Sequence, residues 1–327
     1  MSKIMSFFLV IFSVSMVLFF GYITLVSAQP ISEENKFTKP SEQRWNDVNN
    51  LSLINTNAYT VYLPITVKSY INPKKGLAVK APPACDDMNT LRASWYLNWA
   101  PWPDDTCGDA GKAKFVPLIA TADGMQYLSG AIEYAKVSGW LIGFSEANRP
   151  IRGNMSPEQG AELWKQIEDV ADVANVKLVS PTPYEPNPEE GNQWLWLMVD
   201  AYRNKYGHDP RFDAISWNIY GCTNNPNCYD INGMKNFLTD RHNEAIQRGY
   251  NVPIWVLEYG GCLTDNSGES DKAVMQEITQ WFNDTDWISR YAWYSNRKAS
   301  SYQGDHKCIL IDDNGSLTEL GRIYQSY

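Results

Sequence analysis

Residues 253–260 read PIWVLEYG, an apolar run that ends at the carboxylate Glu258. Residues 140–146 read WLIGFSE and end in the same way at Glu146. Short runs rich in β-branched and aromatic residues, followed by turn residues, are typical of buried strands. In a parallel α/β barrel the carboxyl ends of the strands carry the chemistry, so we expect both carboxylates at one rim. Two carboxylates in that position are the minimum that cleavage of a glycosidic bond requires.

Short apolar runs alternate with amphipathic stretches outward from these two segments. Eight runs are strand-like: 76–79, 93–99, 113–119, 140–144, 176–180, 214–218, 253–257 and 289–294. Helical spacing of apolar residues or a helix-capping signal marks 124–137, the segment from Ser156, 194–206, 234–247 and 273–282. Only the connection between the second and third runs is too short and too rich in Pro and Asp for a good helix. Eight alternating units over about 250 residues predict an α/β fold, a single (β/α)8 TIM barrel.

A doubly wound open sheet is the alternative architecture. Such a sheet usually carries a glycine-rich phosphate-binding loop after its first strand. Residues 80–83 read KAPP at that point, which favours the barrel.

The composition excludes some functions and leaves others open. The 327-residue chain has a formal net charge of −9, which argues against a nucleic-acid partner, because phosphate binding needs clustered Lys and Arg. Thirteen Trp and nineteen Tyr indicate either a large aromatic core or a cleft that stacks on sugar rings.

The first part of the chain has the features of an export signal. Lys3 precedes a nearly uninterrupted apolar run over 7–26, and residues 26–28 read VSA, a small-residue cleavage pattern. We expect a signal peptide over 1–28; an uncleaved membrane anchor is the alternative, because the run is just long enough to cross a bilayer. Residues 29–73 are expected to form a partly disordered spacer or tether, and residues 74–327 the catalytic domain.

Export makes the six cysteines candidates for disulfides. None of them forms a Cys-x-x-Cys pair, so no metal site is expected. Six cysteines allow fifteen connectivities. Proximity in sequence favours Cys85–Cys107 and Cys222–Cys228, which leaves Cys262–Cys308 as the third pair.

An ordered set of motifs resembles glycoside hydrolase family 128. The motifs are KGLA (75–78), SWYLNW (94–99), FVPL (115–118), GFSE (143–146), NMSPEQGAELW (154–164), VKLVSP (176–181), YG (220–221), WVLE (255–258) and RYAW (290–293). The resemblance covers the chain from about residue 75 to its end. It implies a retaining barrel hydrolase that acts on β-1,3-glucans.

The resemblance also implies residue roles. It makes Glu146 the general acid/base and Glu258 the nucleophile, so that Glu146 must hold a proton while Glu258 stays ionised. Tyr220 is expected to orient the nucleophile, and Trp293 to form the aromatic floor under the reacting sugar. Further substrate contacts are expected from Asn98, Trp99, Ser145, Asn218 and Glu185.

The chain departs from the family pattern at two of these positions. The family usually has Asn where this chain has Ser145, and His-Trp-Tyr where it has Asn218-Ile219-Tyr220. Both changes fall on the sugar subsites rather than on the carboxylates. Arg149 and Arg152 follow Glu146 and are expected to anchor its loop.

The sequence therefore predicts a secreted, monomeric, retaining endo-β-1,3-glucanase without a cofactor, whose partner is a β-glucan polysaccharide. One alternative is a carbohydrate-binding barrel that has lost its activity or acts on another glycan. The other is a structural surface protein tethered by its N-terminal segment, for which neither glutamate would matter.

Overall fold

The computed structural model describes residues 54–56, 59–61, 71–184, 193–221, 229–261, 269–298 and 308–327. The chain divides into two compact units, Met1–Tyr70 and Ile71–Tyr327. In the first unit, strands β1 (Ile54–Thr56) and β2 (Tyr59–Val61) pair antiparallel. The predicted signal peptide lies outside the described residues, as does most of the predicted spacer.

The second unit contains a parallel sheet. Its strands are β3 (Lys75–Ala78), β4 (Trp95–Leu97), β5 (Trp140–Ile142), β6 (Lys177–Val179), β7 (Ile215–Tyr220), β8 (Ile254–Gly260) and β9 (Ile288–Tyr294). Five strands follow the order β4-β3-β9-β8-β7, and β5 pairs with β6. All these pairs are parallel, as the alternation of strands and helices predicts.

Short bridges join the two groups of strands. The bridges Tyr96–Phe115 and Leu118–Ile142 put the segment after Lys114 between β4 and β5, where the third strand was predicted. Another bridge joins Val179 of β6 to the residue before β7. Since β3 also pairs with β9, each strand position has a parallel neighbour on both sides, as in a (β/α)8 barrel.

Helices follow most of the strands. Within the described residues they are α1 (Ala84–Leu91), α2 (Asp109–Lys112), α3 (Leu128–Ser138, preceded by a 3₁₀ turn at Ala122–Tyr127), α4 (Pro157–Ala174), α5 (Trp194–Tyr206), α6 (Ile231–Gln247), α7 (Glu269–Asp284) and α8 (Glu319–Ser326). Ser156 caps α4 as predicted, since its hydroxyl accepts a hydrogen bond from the Gln159 N–H at 3.2 Å. The connection predicted to lack a good helix holds only the single turn α2.

Alternate residues of each strand belong to two separate apolar cores. The larger core lies between the strands and the helices, and includes Leu77, Tyr259 and Trp293. The smaller core fills the inside of the barrel, and includes Leu97 and Trp255. Side chains of a strand alternate between its two faces, so this assignment also shows which residues point toward the barrel axis.

Three tryptophans and one arginine close the amino-terminal end of the barrel. The guanidinium carbon of Arg290 lies 4.3, 5.2 and 5.8 Å from the ring centroids of Trp255, Trp95 and Trp140. Burial lowers the pKa of Arg290 to about 10. Gly76 makes room for this cluster, because a Cβ there would lie 2.2 Å from the Trp95 indole. Contact with aromatic faces stabilises the buried cation.

One predicted disulfide is confirmed. Cys85 and Cys107 are bonded, with their Cα atoms 5.4 Å apart, and link α1 to the loop after β4. Cys308 is also disulfide-bonded, but its predicted partner Cys262 lies outside the described residues, as do Cys222 and Cys228.

No helix in the described part of the chain is both long and apolar enough to span a bilayer. The apolar run over 7–26 falls outside that part.

Candidate active site

Glu258 lies at a bulge in β8. Trp217 pairs with Val256, but the next residue, Asn218, pairs with Glu258, so Leu257 is an extra residue in the strand. The pairing with β9 shifts at the same place. Bulges of this kind redirect a side chain and are common beside active sites. Here Leu257 belongs to the core inside the barrel, and the Glu258 carboxylate meets Trp99, which packs against that same core.

Two neighbouring aromatic residues donate hydrogen bonds to Glu258. The Trp99 Nε1–H donates to Oε1 at 2.7 Å, and the Tyr220 hydroxyl donates to Oε2. Both oxygens of the carboxylate are therefore held, which fixes the direction in which the group points. Tyr220 was predicted to orient the nucleophile, and the structure places its hydroxyl against that carboxylate.

Burial dominates the electrostatics of this pair. It raises the pKa of Glu258, whereas the hydrogen bonds from Tyr220 and Trp99 act in the opposite direction. The negative charge of Glu146 also raises the pKa of Glu258, which places the two glutamates in one electrostatic site. Burial and the charge of Glu258 raise the pKa of Tyr220 well above its usual value, so that the phenol remains a donor.

Glu146 lies in a tight turn after β5. Its φ is 49°, in the left-handed region that residues other than glycine rarely adopt. The backbone is held on both sides: the Ser145 N–H donates to the Ala120 oxygen at 3.1 Å, and the Ala147 N–H donates to the Thr182 oxygen at 3.3 Å. This anchoring keeps the carboxylate at the carboxyl end of the barrel in spite of the backbone strain.

Two arginines of the same loop bind the Glu146 carboxylate. Nη1 of Arg149 lies 3.0 and 2.8 Å from its two oxygens, and Nε of Arg152 lies 3.0 Å from Oε2. The guanidinium of Arg149 also stacks on Tyr184, 4.7 Å from the ring centroid. Arg149 and Arg152 were predicted only to anchor the loop, but their contacts are with the proposed acid itself.

The surroundings of Glu146 therefore differ from those that the resemblance implies. The resemblance makes Glu146 a general acid that holds a proton, whereas the structure places two guanidinium groups against its carboxylate. The sequence patterns of strands and helices do not indicate these contacts between Glu146 and the two cations.

Trp293 is the prediction that the structure contradicts. Its side chain is fully buried in the core between strands and helices, where its Nε1–H donates to the Cys308 oxygen at 2.8 Å. The next residue, Tyr294, faces the inside of the barrel instead and packs edge-on against Trp99 and Tyr220. The physical reason is strand alternation: Ala292 and Tyr294 share the inner face of β9, and Trp293 has the outer face.

The remaining predicted contacts are placed as follows. Asn98 supports the loop after β4, since its side chain donates to the Trp102 oxygen and accepts from the Ala100 N–H. Ser145 is buried beside Glu146. The side-chain amide of Asn218, beside Glu258 in the sheet, is buried and has no hydrogen-bond partner among the described residues. Glu185 lies outside the described residues.

Tyr294, Lys80 and the contacts of the two arginines with Glu146 were not predicted from the sequence. The ammonium group of Lys80 lies 5.4 Å from the Trp99 ring centroid and 5.9 Å from that of Tyr294. Strand alternation could have identified Tyr294, because it shares the inner face of β9 with Ala292. The arginine contacts depend on the loop conformation, for which the sequence has no periodic signal. In the described residues no group of three or more His, Cys, Asp or Glu side chains could hold a metal ion.

A barrel with two carboxylates at the carboxyl ends of its strands has the architecture of a glycoside hydrolase. The family model described as "Glycosyl hydrolase catalytic core" matches residues 76–324, and the chain belongs to this family. The match covers all the strands β4 to β9 and nearly all of β3.

One curated protein is similar to this chain over most of its length. The chain is similar to alkali-sensitive linkage protein 1 of Schizosaccharomyces pombe, with 22% identity over 256 residues. The match covers 74% of this chain and 42% of that protein, so this chain spans less than half of its relative.

Solved structures of glycoside hydrolase family 128 share the fold. An endo-β-1,3-glucanase of subgroup II from Pseudomonas viridiflava is 26% identical, with a TM-score of 0.63 over 77% of this chain and 97% of its own. A curdlan-specific exo-β-1,3-glucanase of subgroup III from Blastomyces gilchristii, in complex with glucose, is 20% identical, with a TM-score of 0.62 over 79% and 99%. The resemblance to family 128 seen in the sequence is confirmed at the level of the family.

Proposed function

We propose that this protein is a retaining endo-β-1,3-glucanase, with Glu258 as the nucleophile and Glu146 as the acid/base. The observation that carries the proposal is the pair of hydrogen bonds from Trp99 and Tyr220 to the two oxygens of Glu258. Two donors that hold a buried carboxylate at the end of a strand suit a nucleophile better than a structural ion pair. The β-1,3-glucanase activities of the P. viridiflava and B. gilchristii proteins support the choice of substrate.

In the first step an oxygen of Glu258 attacks the anomeric carbon. The bond from that carbon to the departing sugar oxygen breaks, and Glu146 gives that oxygen its proton. The hydrogen bonds from Trp99 and Tyr220 keep the attacking carboxylate in line. Before this step, Glu146 must exchange its contacts with Arg149 and Arg152 for a proton.

In the second step water releases the glycosyl group from Glu258. Glu146, now ionised, takes a proton from the attacking water, and Glu258 leaves as a carboxylate. The burial that raises the pKa of Glu258 also keeps bulk water away from the ester bond. The unpartnered amide of Asn218 is the group we expect to bind a hydroxyl of the reacting sugar.

The test is the release of reducing sugar from a linear β-1,3-glucan, with the wild type beside Glu258→Gln. Release by the wild type alone supports the reaction and the nucleophile. Glu133→Gln is a matched control, because Glu133 is an exposed residue of α3 paired with Lys136. If the protein hydrolyses another β-glucan but not this polymer, we assign the change in substrate specificity to Ser145 and Asn218. If it binds glycans but hydrolyses none, the carbohydrate-binding barrel is favoured.

We further propose that the protein acts outside the cell as a monomer. The disulfide between Cys85 and Cys107 and the apolar run over 7–26 support export. N-terminal sequencing of the protein from its natural host tests this proposal: a start near residue 29 indicates a cleaved signal, and an intact Met1 a retained anchor.

A further inference from the structure

Three cations lie around the two carboxylates of the site. Lys80, Arg149 and Arg152 come from two different loops at the carboxyl end of the barrel. Among the described residues, Arg149 and Arg152 match the charges of Glu146 and Glu258, and Lys80 over the Trp99 ring adds a third positive charge, in a chain whose formal net charge is −9. A neutral glucan gives no electrostatic reason for this local reversal of charge.

Most hydrogen-bond donors of the two guanidinium groups are unused. A guanidinium carries five N–H donors in a planar fork. Among the described residues the side chain of Arg149 donates only through Nη1, and that of Arg152 contacts Glu146 only through Nε. The side chains are 29% and 45% exposed, so their other N–H groups remain open to an acceptor from outside the protein.

The positions of these donors restrict where such an acceptor would bind. Stacking on Tyr184 fixes the plane of the Arg149 guanidinium. Tyr184 is itself fixed to the loop, because Asn148 accepts from its N–H at 2.7 Å and donates to its oxygen at 3.0 Å. Both guanidinium groups lie against the carboxylate that protonates the departing oxygen, so the acceptor would belong to a sugar unit at the scissile bond.

We propose that Arg149 and Arg152 form a subsite for the carboxylate of a uronic-acid unit, and that the preferred substrate is an acidic β-glucan. The inference rests on the proposed hydrolysis of β-glucan and names a finer class of substrate for the same site. A planar carboxylate matches the fork of a guanidinium and forms charge-assisted hydrogen bonds. Lys80 supplies further positive charge across the cleft.

The experiment compares two forms of one polymer. These are a linear β-1,3-glucan and the same glucan with part of its primary hydroxyls oxidised to carboxylates. We expect kcat/KM of the wild type to be about tenfold higher for the oxidised form, the effect of one or two charge-assisted hydrogen bonds. Arg152→Gln and Arg149→Gln should each remove most of this preference, whereas Arg203→Gln, on the exposed surface of α5, should retain it.

A binding measurement separates this inference from the proposed reaction. Calorimetry on Glu258→Gln compares a neutral and an oxidised β-1,3-oligosaccharide, and needs no turnover. Tighter binding of the oxidised form, lost when Arg152→Gln is added, supports the subsite even if neither polymer is cleaved. Equal or tighter binding of the neutral form, or a preference that survives the loss of both arginines, overturns it.

Discussion

Each end of the barrel sets three aromatic residues around one charged side chain, but the two ends use different parts of the rings. At the amino-terminal end three tryptophans turn their faces to the cation of Arg290. At the carboxyl end Trp99 and Tyr220 point their N–H and O–H groups at the anion of Glu258, and Tyr294 packs against both. Aromatic faces attract cations and polar ring edges bind anions, so the first arrangement stabilises a core and the second aims a reactive group.

Residues with positive φ have different roles at the two ends. At the amino-terminal end they end helices: Gly139 and Gly207 follow α3 and α5, and Arg92 and Asn175, both with φ of 54°, follow α1 and α4. At the carboxyl end Trp99 (56°) and Glu146 (49°) instead belong to the site itself, where the position of the side chain matters more than stability.

The largest effect should follow from loss of the donors to Glu258. Trp99→Phe and Tyr220→Phe each remove one hydrogen bond and keep the ring, so we expect kcat/KM to fall about 10²- to 10³-fold. The melting temperature should change little. Trp102→Phe, an exposed residue of the same loop, is the control. If kcat/KM fell less than tenfold in both variants, catalysis would not depend on the hydrogen bonds that Trp99 and Tyr220 donate to Glu258.

A substitution at the amino-terminal end should have the reverse pattern. A Cβ at position 76 would lie 2.2 Å from Trp95, so Gly76→Ala should lower the free energy of unfolding by about 3 kcal/mol while kcat of the folded enzyme is unchanged. Denaturant unfolding and steady-state kinetics measure the two quantities. Gly108→Ala is the matched control, because nothing lies within 4 Å of the added Cβ. Equal stability of the two variants would contradict the packing described for this end.

The buried lysine of β3 predicts a pH dependence of stability. Burial lowers the pKa of Lys75 from 10.5 to about 8, so the unfolded chain binds more protons between these values. Raising the pH through this window therefore stabilises the fold, by about 2 kcal/mol between pH 8 and 9.5. Chemical denaturation of Lys75→Met alongside the wild type isolates this contribution. Parallel pH profiles for the two proteins would rule it out.

The smallest effect is expected at the cap that follows the catalytic loop. Ser156→Ala removes the hydrogen bond to the Gln159 N–H and should cost about 1 kcal/mol of stability. Ser156→Asp keeps an acceptor and should restore most of it. A large loss of activity in Ser156→Ala with little loss of stability would mean that α4 also positions Glu146.

Much of the architecture was readable from the sequence. Apolar runs bounded by turn residues located the strands, and Ser156 with its following proline located the start of α4. The ends of two such runs also placed Glu146 and Glu258 at one end of the barrel. These features depend on local periodicity, which a single sequence contains.

The details of the site depend on register and loop conformation instead. The bulge at Leu257 turns Glu258 inward, and no composition signal marks it. If the residues of β9 are assigned to its two faces with an error of one position, Trp293 takes the place of Tyr294 in the site, because neighbouring side chains point to opposite faces. The contacts of Arg149 and Arg152 with Glu146 arise from a turn with a strained residue, which periodicity does not predict.

The most direct test of the account is to trap the glycosyl enzyme. Incubation with a 2-deoxy-2-fluoro β-glucoside that carries a good leaving group should leave a stable ester on the nucleophile. The fluorine slows both steps, but the good leaving group restores the rate of the first step, so the glycosyl enzyme accumulates. We predict one adduct in the mass spectrum, on the peptide that contains Glu258, and none in Glu258→Gln. An adduct on Glu146 would contradict the assignment of Glu258 as the nucleophile. The same conclusion would follow if the enzyme turned over a natural glucan rapidly, with inversion at the anomeric carbon, and formed no adduct on any residue.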